Sequence, residues 1–411
     1  MNPSDATLEH LLRIEAPQVL AALVRRFGHF DLAEDAVQEA LMAASRQWPD
    51  GIPADPRGWL IRIGYRRLID LLRSDQARRR REHHAANLEP RPAEAVPAVD
   101  DSVTLLLLCC HPALNPTAQV ALTLRAVGGL STAEIAHAYG TSEATMSARI
   151  SRAKRQLARS GARFTPPGAA EHDSRLAAVM QVLYLIFNEG YIASSGDRLD
   201  RVDLAHEAIR LARMLHSSVP GDAEATGLLA LMLLSEARRP ARTGHDGRLV
   251  PLAEQDRTRW DRRLIQEGTE LVDGVWGAPG VGPYRIQAAI AAVHAVAGTA
   301  ADTDWPQIAA LYLGLEHVSP TAPVRLSRVV AVAHAYGPER GLALLDELDG
   351  RHSLSGDPLT RQRERAVRAH LLEMTGEHEV AAGLYREAAA LTANIVEQRY
   401  LLGRAHRLGG Q

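Results

Sequence analysis

The apolar residues of this 411-residue chain recur at three- and four-residue steps along most of its length. Between residues 31 and 44, the apolar residues at positions 33, 36, 37, 40, 41 and 44 lie on one face of an α-helix. The same spacing predicts helices from residue 8 to 47, from 55 to 82, from 103 to 163 and through nearly all of 171–411. We therefore expect an all-α protein.

Two breaks in the helical pattern divide the chain into segments. Residues 83–102 are rich in proline, alanine and acid and have no periodicity, so we expect a flexible linker there. The stretch FTPPG at 164–168 ends the second helical segment. We predict one domain at 1–82, a second at 103–163, and a third, almost wholly helical domain at 171–411.

Residues 130–163 show the order of features found in a helix-turn-helix motif. Ser131 can cap a short helix, with Glu134 at the third helical position of a capping box. Gly140 follows in a tight turn, and Ser142 can cap a longer second helix. A short helix, a glycine turn and a longer helix together predict a DNA-binding element.

Two helical segments are strongly basic, although the whole chain has a formal charge of −2. Residues 57–81 contain nine arginines against two aspartates, and Trp59 lies among the arginines of one helical face. Residues 149–163 contain six basic residues and no acid. Guanidinium groups pair with phosphates, and an aromatic ring can stack on an unpaired base. A solvated charged face would explain either segment alone, but the two together favour nucleic acid.

The composition argues against several kinds of active site and against a membrane segment. Lys154 is the one lysine of the chain, so a Schiff base or a phosphate-binding loop would need this position, whose surroundings are not glycine-rich. Cys109 and Cys110 are adjacent and lack metal-ligand spacing, so we interpret them as small buried side chains. Because we find neither a signal peptide nor an apolar run of membrane length, we expect a cytoplasmic protein without membrane contact or cofactor.

Three stretches, in this order, resemble the extracytoplasmic-function (ECF) sigma factors: DLAEDAVQEALMAA, DPRGWLIRIGYRRLIDLLRS and LSTAEIAHAYGTSEATMSARISRAKRQL. These proteins are initiation subunits of RNA polymerase with two conserved domains, called regions 2 and 4. The resemblance covers about residues 8–160. It implies a protein that is not an enzyme, and whose partners are the β′ and β subunits of the polymerase core and promoter DNA.

The resemblance assigns polymerase binding to the helix at 31–44. Asp35, Gln38 and Glu39 occupy the positions at which the family's helix docks on the coiled coil of the β′ subunit. Asp31 is expected to cap this helix, with Glu34 as the acid of a capping box.

The resemblance also implies two DNA-binding surfaces. The stretch DPRGWL is similar to the NPRAWL sequence that begins the family's −10 helix, and the loop before it is similar to one that captures a flipped base. The residues expected at the −10 element are Trp48, Arg57, Trp59, Arg62, Arg66, Arg67 and Arg73. Those expected at the −35 element are Glu143, Thr145, Arg149, Arg152, Lys154 and Arg155.

The −35 helix departs from the family pattern. Where the family often has GTVKSRL, this chain has ATMSARI, with Ala144, Ser147 and Ala148. A basic residue and a hydroxyl are thereby missing from the helix, so the −35 sequence of a typical member cannot be carried over.

The C-terminal half extends about 240 residues beyond a typical ECF factor. The stretch at 369–394 fits a tetratricopeptide (TPR) repeat, with Ala369 at a small position and Tyr385 at the aromatic one. Two weaker copies have Tyr312 and Leu345 at the aromatic position. The layout resembles the ECF subgroup with a TPR-like extension, whose concave surface would hold a protein partner or another part of the same chain.

Two segments, LYLIFNEGY and ARRPARTGHDGRLVPLAEQDRTRW, contain polar residues that an enzyme could use. They include Asn188, Glu189, His245, Asp246, Glu254 and Asp256, but no nucleophile–base pair and no metal-ligand spacing. We interpret these side chains as hydrogen-bonding groups at helix ends and in loops, and we expect no catalytic residue and no metal.

Two other functions compete with this interpretation. A helix-turn-helix regulator with a TPR-like sensor or dimerisation domain would use residues 130–163, but it leaves 31–44 and 55–82 without a role. An enzyme fused to a binding module lacks a recognisable site.

Overall fold

The computed structural model describes residues 3–82, 101–165, 168–244 and 246–409, and within these ranges it contains α-helices but no named strand. This confirms the all-α expectation. The chain divides into two compact units, Met1–Leu185 and Ile186–Gln411. Residues 83–100 of the predicted linker lie outside the described residues.

The first three helices are α1 (Pro3–Phe27), α2 (Phe30–Gln47) and α3 (Pro56–Glu82), with a 3₁₀ turn at Trp48–Asp50. The helices pack closely because α2 presents alanines to its neighbours, and a Cβ on Gly64 would lie 2.9 Å from a methyl group of Leu23. The buried side chains of this bundle include Leu20, Leu23, Ala33, Ala36, Ala40, Leu60 and Leu68. Leu60 and Leu68 form part of the buried face of α3.

The start of α2 differs from the prediction. The N-cap is His29, which makes no side-chain cap, and Asp31 lies inside the first turn. The acidic capping box of Asp31 and Glu34 is therefore wrong, because the backbone is already helical at Asp31. Glu34 is instead buried.

The second predicted domain, which contains the helix-turn-helix motif, comprises α4 (Ser102–Cys109), α5 (Pro116–Ala126), α6 (Thr132–Ala138) and α7 (Glu143–Arg159). The buried face of α7 consists of Met146, Ile150, Ala153 and Leu157. Small and apolar residues of α6 cover this face, so the two helices form one compact hairpin.

The predicted caps of this hairpin are confirmed. Ser131 Oγ accepts a hydrogen bond from the Glu134 amide at 3.1 Å, and a Glu134 carboxylate oxygen accepts one from the Ser131 amide at 2.7 Å. Ser142 Oγ accepts from the Thr145 amide at 3.2 Å. Gly140 has φ 56°, a conformation that glycine adopts readily, and it makes the turn between α6 and α7.

The next helix, α8 (Ala169–Tyr191), begins in the first unit, and its last turn and a half belong to the second. Within the described residues, the second unit contains ten further helices: α9 (Val202–Ser218), α10 (Ala223–Glu236), α11 (Arg262–Val275), α12 (Pro283–Val296), α13 (Trp305–Val318), α14 (Ala322–Tyr336), α15 (Pro338–His352), α16 (Arg361–Thr375), α17 (His378–Leu391) and α18 (Ile395–Gly409). Most of these helices pack mainly on their neighbours in sequence, as in a helical-repeat protein, whereas α10 packs most extensively on α12.

The repeat predicted from the sequence at 369–394 forms the hairpin of α16 and α17. Ala369 and Tyr385 are buried in its core, and the Tyr385 hydroxyl donates to a Glu373 carboxylate oxygen at 2.8 Å. Leu345 of α15 is fully buried, whereas Tyr312 of α13 is half-buried. The aromatic position of the repeat therefore faces the core in each copy.

The second unit closes on itself through Asn394, the residue before α18. Its side-chain amide donates to the carbonyl oxygens of Ala193 at 2.8 Å and Arg198 at 3.0 Å, about two hundred residues earlier in the chain. The Ile395 amide donates to the Gly196 carbonyl oxygen at 2.9 Å. Asn394 is 1% exposed, so these bonds fasten the end of the unit to its beginning.

Candidate polymerase and nucleic-acid interface

The polar face of α2 carries the three residues expected to bind polymerase. Asp35, Gln38 and Glu39 are spaced three and four residues apart, so they share one side of the helix, away from the buried alanines. The Asp35 side chain is 58% exposed. Glu39 makes an ion pair with Arg67 of α3, with 2.7 Å between a carboxylate oxygen and Nε. The surface is acidic but is already partly paired.

Glu34, which precedes Asp35, ties α2 to α5 and α7. Arg125 Nε on α5 donates to Glu34 Oε1 at 2.9 Å, and Lys154 Nζ on α7 donates to Glu34 Oε2. Lys154 Nζ also donates to Asp35 Oδ1 at 3.1 Å. Glu34 is 3% exposed, so these two cations replace its hydration. The contact joins the predicted polymerase-binding helix to the predicted −35 recognition helix.

Lys154 departs from its expected position on the DNA-binding face. Its side chain is 12% exposed and turns toward α2, because both carboxylates lie there. Burial lowers the pKa of Lys154, but the charges of and hydrogen bonds to Glu34 and Asp35 outweigh burial and leave the pKa raised. The ammonium group is therefore positive at neutral pH and is engaged by α2.

The −10 candidates surround the start of α3. Trp48 is 3% exposed and packs edge-on against Trp59, with 5.4 Å between the ring centroids. Trp48 therefore cannot contact a base in this conformation. Its ring packs against the half-buried Trp59 and holds that side chain in place. Asp55 Oδ1 accepts from the Gly58 amide at 2.9 Å and so caps the helix that carries Trp59.

The arginines of α3 fall into two groups. Arg57 and Arg67 are paired with carboxylates, Arg57 with Glu15 at 2.6 Å and Arg67 with Glu39. Three others are exposed and share one face: Arg62, Arg66 and Arg73. The side chains of residues 75–82, which include four further arginines, lie outside the part that is described.

The exposed face of α7 carries most of the −35 candidates. Glu143, Thr145, Arg152 and Arg155 are exposed, whereas Arg149 is half-buried. The hydroxyl groups of Thr145 and Ser142 lie 2.8 Å apart, and Arg152 Nε donates to the Ala148 carbonyl oxygen at 3.2 Å. This face lies opposite the buried side of the helix, so it is available to a groove of DNA.

The two cysteines are buried, as expected. Burial raises the pKa of both thiols. The pKa of Cys110 rises to about 12, although a hydrogen bond with Thr123 and the charge of Arg175 lower it in part. Both thiols are therefore protonated at neutral pH. Among the described side chains, no group of three potential metal ligands is clustered.

The polar residues that could have suggested an enzyme have local roles. Glu189 Oε1 accepts from the amide and hydroxyl of Ser194, at 3.0 and 3.1 Å. Asp256 caps a short turn by accepting from the Thr258 amide at 2.9 Å. Glu254 lies 3.8 Å from Arg404, and His245 lies outside the described residues. No helix of the described part is both long and apolar enough to span a membrane.

Three sequence families match this chain. The family described as Sigma-70 region 2 matches residues 11–79, and Sigma-70 region 4 matches residues 104–157. A family of unknown function, DUF6596, matches residues 175–275. The first two matches coincide with α1–α3 and α4–α7.

Known relatives fall into two groups. An uncharacterized protein of Rhizobium meliloti, R00370, is 41% identical over 394 residues, which cover 94% of this chain and 92% of that protein. The probable ECF RNA polymerase sigma factor SigI of Mycobacterium tuberculosis is 33% identical over 141 residues, which cover 32% of this chain and 48% of SigI. SigJ, an ECF sigma factor of the same organism, is 32% identical over 151 residues, 34% of this chain and 46% of SigJ. The likeness to SigI and SigJ thus spans about a third of this chain, whereas R00370 shares nearly all of it.

Proposed function

Because the chain belongs to the ECF sigma factors, in the subgroup with a long helical C-terminal extension, we propose that it binds core RNA polymerase and directs initiation at specific promoters. One observation carries this proposal. A carboxylate-bearing face of α2 and two basic helices, α3 and α7, lie in one compact unit in the order of regions 2 and 4.

In this proposal, Asp35, Gln38 and Glu39 dock on the coiled coil of the β′ subunit, and region 4 contacts the β subunit. The exposure of Asp35 supports this role, since a surface carboxylate can be transferred to a basic partner at little desolvation cost. The tight packing of α2 on α1 and α3 supports it too, because a rigid helix loses little entropy on docking.

Promoter DNA binds to α3 and α7. Trp59, held in place by Trp48, stacks on an unpaired base of the −10 element, while Arg62, Arg66 and Arg73 contact phosphates. Glu143, Thr145, Arg149, Arg152 and Arg155 form the −35 surface on α7. Most of their contacts are to phosphates, because Ser147 and Ala148 replace the lysine and the serine that family members often have at these two positions.

The free chain is a closed form of this factor. A basic group of β′ would compete with Lys154 for the Asp35 carboxylate, and docking on β′ thereby releases α7 from α2. The release frees Lys154, which then joins the phosphate-binding face of α7. We therefore expect free protein to bind duplex DNA weakly, and we expect polymerase to open it.

The test is a binding assay with purified core polymerase. The double variant Asp35→Ala, Glu39→Ala should lose core binding while keeping its fold. Asp173→Ala is the matched control, because Asp173 is an exposed acid of the first unit on α8, outside the proposed surface. Binding of the double variant at wild-type strength would contradict the assignment of these residues.

The C-terminal unit regulates the factor or recruits a partner, and the protein acts in the cytoplasm. Its helical repeats supply an extended surface of the kind that holds peptides or helices. A chain truncated after Leu185, where the first unit ends, tests this part of the proposal. If the unit has no regulatory role, the truncated chain should transcribe like the full chain.

A further inference from the structure

Residues 237–261 make an excursion between α10 and α11 that our proposed function does not use. The segment contains three short 3₁₀ turns, and both of its ends are held together, because the Asp261 amide donates to the Ala237 carbonyl oxygen at 2.9 Å. It brings Arg238, Arg242 and Arg257 into the second unit. Arg242 and Arg257 are 5% and 8% exposed.

The hydrogen bonds of these three arginines go to uncharged oxygens. Arg242 donates to the Tyr191 carbonyl oxygen at 2.6 Å and lies 3.5 Å above the Tyr191 ring. Arg238 donates to the Tyr191 hydroxyl at 3.0 Å. Arg257 donates to the carbonyl oxygens of His294 and Ala297 at 2.7 and 2.6 Å. Within the described part of the chain, none of the three makes an ion pair.

Two nearby acids, Glu236 and Asp302, bond to other groups, whereas Asp200 acts on Arg242 through its charge without an ion pair. Glu236 accepts from His206 at 3.1 Å and from Arg239. Asp302 accepts from the Thr299 amide and hydroxyl at 3.0 and 2.8 Å. Buried arginines are normally balanced by carboxylates, as Arg125 is by Glu34 in the first unit. The excursion therefore holds a concentration of positive charge without a bonded counter-ion.

Two further polar groups beside Arg257 have no partner. The Trp260 ring lies 4.7 Å from the Arg257 guanidinium, and its N–H is buried without an acceptor. His294, whose carbonyl oxygen binds Arg257, has a buried Nδ1 without a partner. A ligand with several acceptor oxygens would satisfy the charge and the free donor together.

We infer that Arg238, Arg257 and Trp260, beside His294, form a binding site for an oxyanion, a carboxylate or a phosphate group. The Arg238 guanidinium, which among the described residues bonds only through Nη2, offers further donors in a planar arrangement that matches either group, and Arg257 adds its charge. A row of rings leads from the site to the surface: Trp305 lies 5.3 Å from His294, and the exposed His334 stacks on Trp305 at 4.2 Å. This inference is independent of the sigma activity.

The electrostatics of the site agree with this assignment. Burial lowers the pKa of Arg257, and the charge of Arg238 lowers it further, although Asp302 opposes both. The pKa of His294 is lowered to about 4. Burial is the largest cause, followed by the charges of Arg238 and Arg257 and by a smaller effect of His334. An anion at the site would offset this field and raise the pKa of His294.

The test uses the full chain and two probes, inorganic phosphate and acetate, titrated at constant ionic strength against chloride. One of them should bind saturably and raise the melting temperature of the second unit, and the stronger probe identifies the phosphate or the carboxylate source. Arg238→Ala should weaken binding by about tenfold or more. Arg248→Ala is the matched control, because Arg248 is an exposed arginine of the same segment that pairs with Asp246.

Two measurements separate binding from a structural role of Arg238. Tyr191→Phe removes the hydrogen bond from Arg238 but leaves its charge, so it should bind the anion nearly as the wild type does. The pKa of His294, followed by NMR in the wild type, should rise when the anion is added. The inference is overturned if neither probe exceeds chloride, if Arg238→Ala binds like the wild type, or if the His294 pKa does not respond.

Discussion

The ammonium group of Lys154 lies 3.1 Å from a carboxylate oxygen of Asp35, and it also donates to Glu34. The two helices that meet here, α2 and α7, are the ones to which the family resemblance gives separate partners. Under the proposed function, breaking the contact between Lys154 and Asp35 would mark the opening of the factor.

Lys154→Ala should raise the affinity for core polymerase by about fivefold, because binding no longer has to break the contact between α7 and α2. The affinity is measured in the absence of DNA, so that phosphate contacts do not contribute. Arg155→Ala removes the same charge from the exposed side of α7 and should leave core affinity unchanged. Equal effects of the two variants would mean that charge alone, and not the contact, is responsible.

Glu34→Ala should destabilise the first unit by roughly 3 kcal/mol, because it leaves Arg125 and Lys154 largely buried without their shared partner. Asp35→Ala should cost less than about 1 kcal/mol, because its carboxylate is mostly exposed. Hydrogen exchange of α2 amides gives both values without assuming that the two units unfold together. Similar losses for the two variants would contradict the assignment of Glu34 as the anchor.

Arg149→Ala and Arg152→Ala should each reduce the dependence of promoter binding on salt by about one unit of slope, for all −35 sequences alike. The expected contacts are to phosphates, which carry no sequence information. The measurement is holoenzyme binding at several salt concentrations, with Arg248→Ala as a control outside the proposed DNA surface. An altered base preference at unchanged slope would show direct readout instead.

The second unit should lose stability as the pH falls from 6.5 toward 4, because the folded protein keeps His294 neutral over this range while the unfolded chain binds a proton there. Its pKa is lowered by burial and then by Arg238 and Arg257, so the unfolded chain takes up the proton first. The resulting loss reaches up to about 3 kcal/mol below pH 4. Substituting His294→Asn should flatten this part of the stability profile relative to the wild type. Parallel profiles for the two proteins would contradict the burial of a neutral imidazole.

The local features were predictable from the sequence because each depends on neighbouring residues. Ser131, Glu134 and Ser142 cap helices through bonds that span three residues, and the apolar spacing of α7 sets its buried face. The C-terminal repeat was predictable at Tyr385 for the same reason. Patterns of this kind follow from helix geometry alone.

The contacts between distant segments were not predictable. Glu34 and Lys154 are 120 residues apart, and the single lysine gives no signal that it turns toward an acid on α2. The sequence does not distinguish Trp48 from Trp59 as a base-contacting residue, and only the packing of the two rings shows that Trp48 is buried. The hydrogen bonds of Asn394 to Ala193 and Arg198 likewise depend on how the helices of the whole second unit pack together.

Promoter-dependent run-off transcription with purified core polymerase distinguishes a sigma factor from other DNA-binding proteins. Templates come from promoters that the holoenzyme occupies in the genome. The full chain should produce a transcript of defined start, Asp35→Ala with Glu39→Ala should abolish it, and Asp173→Ala should leave it intact. A chain that binds these promoters without core polymerase, and gives no transcript with it, would contradict the account and favour a helix-turn-helix regulator.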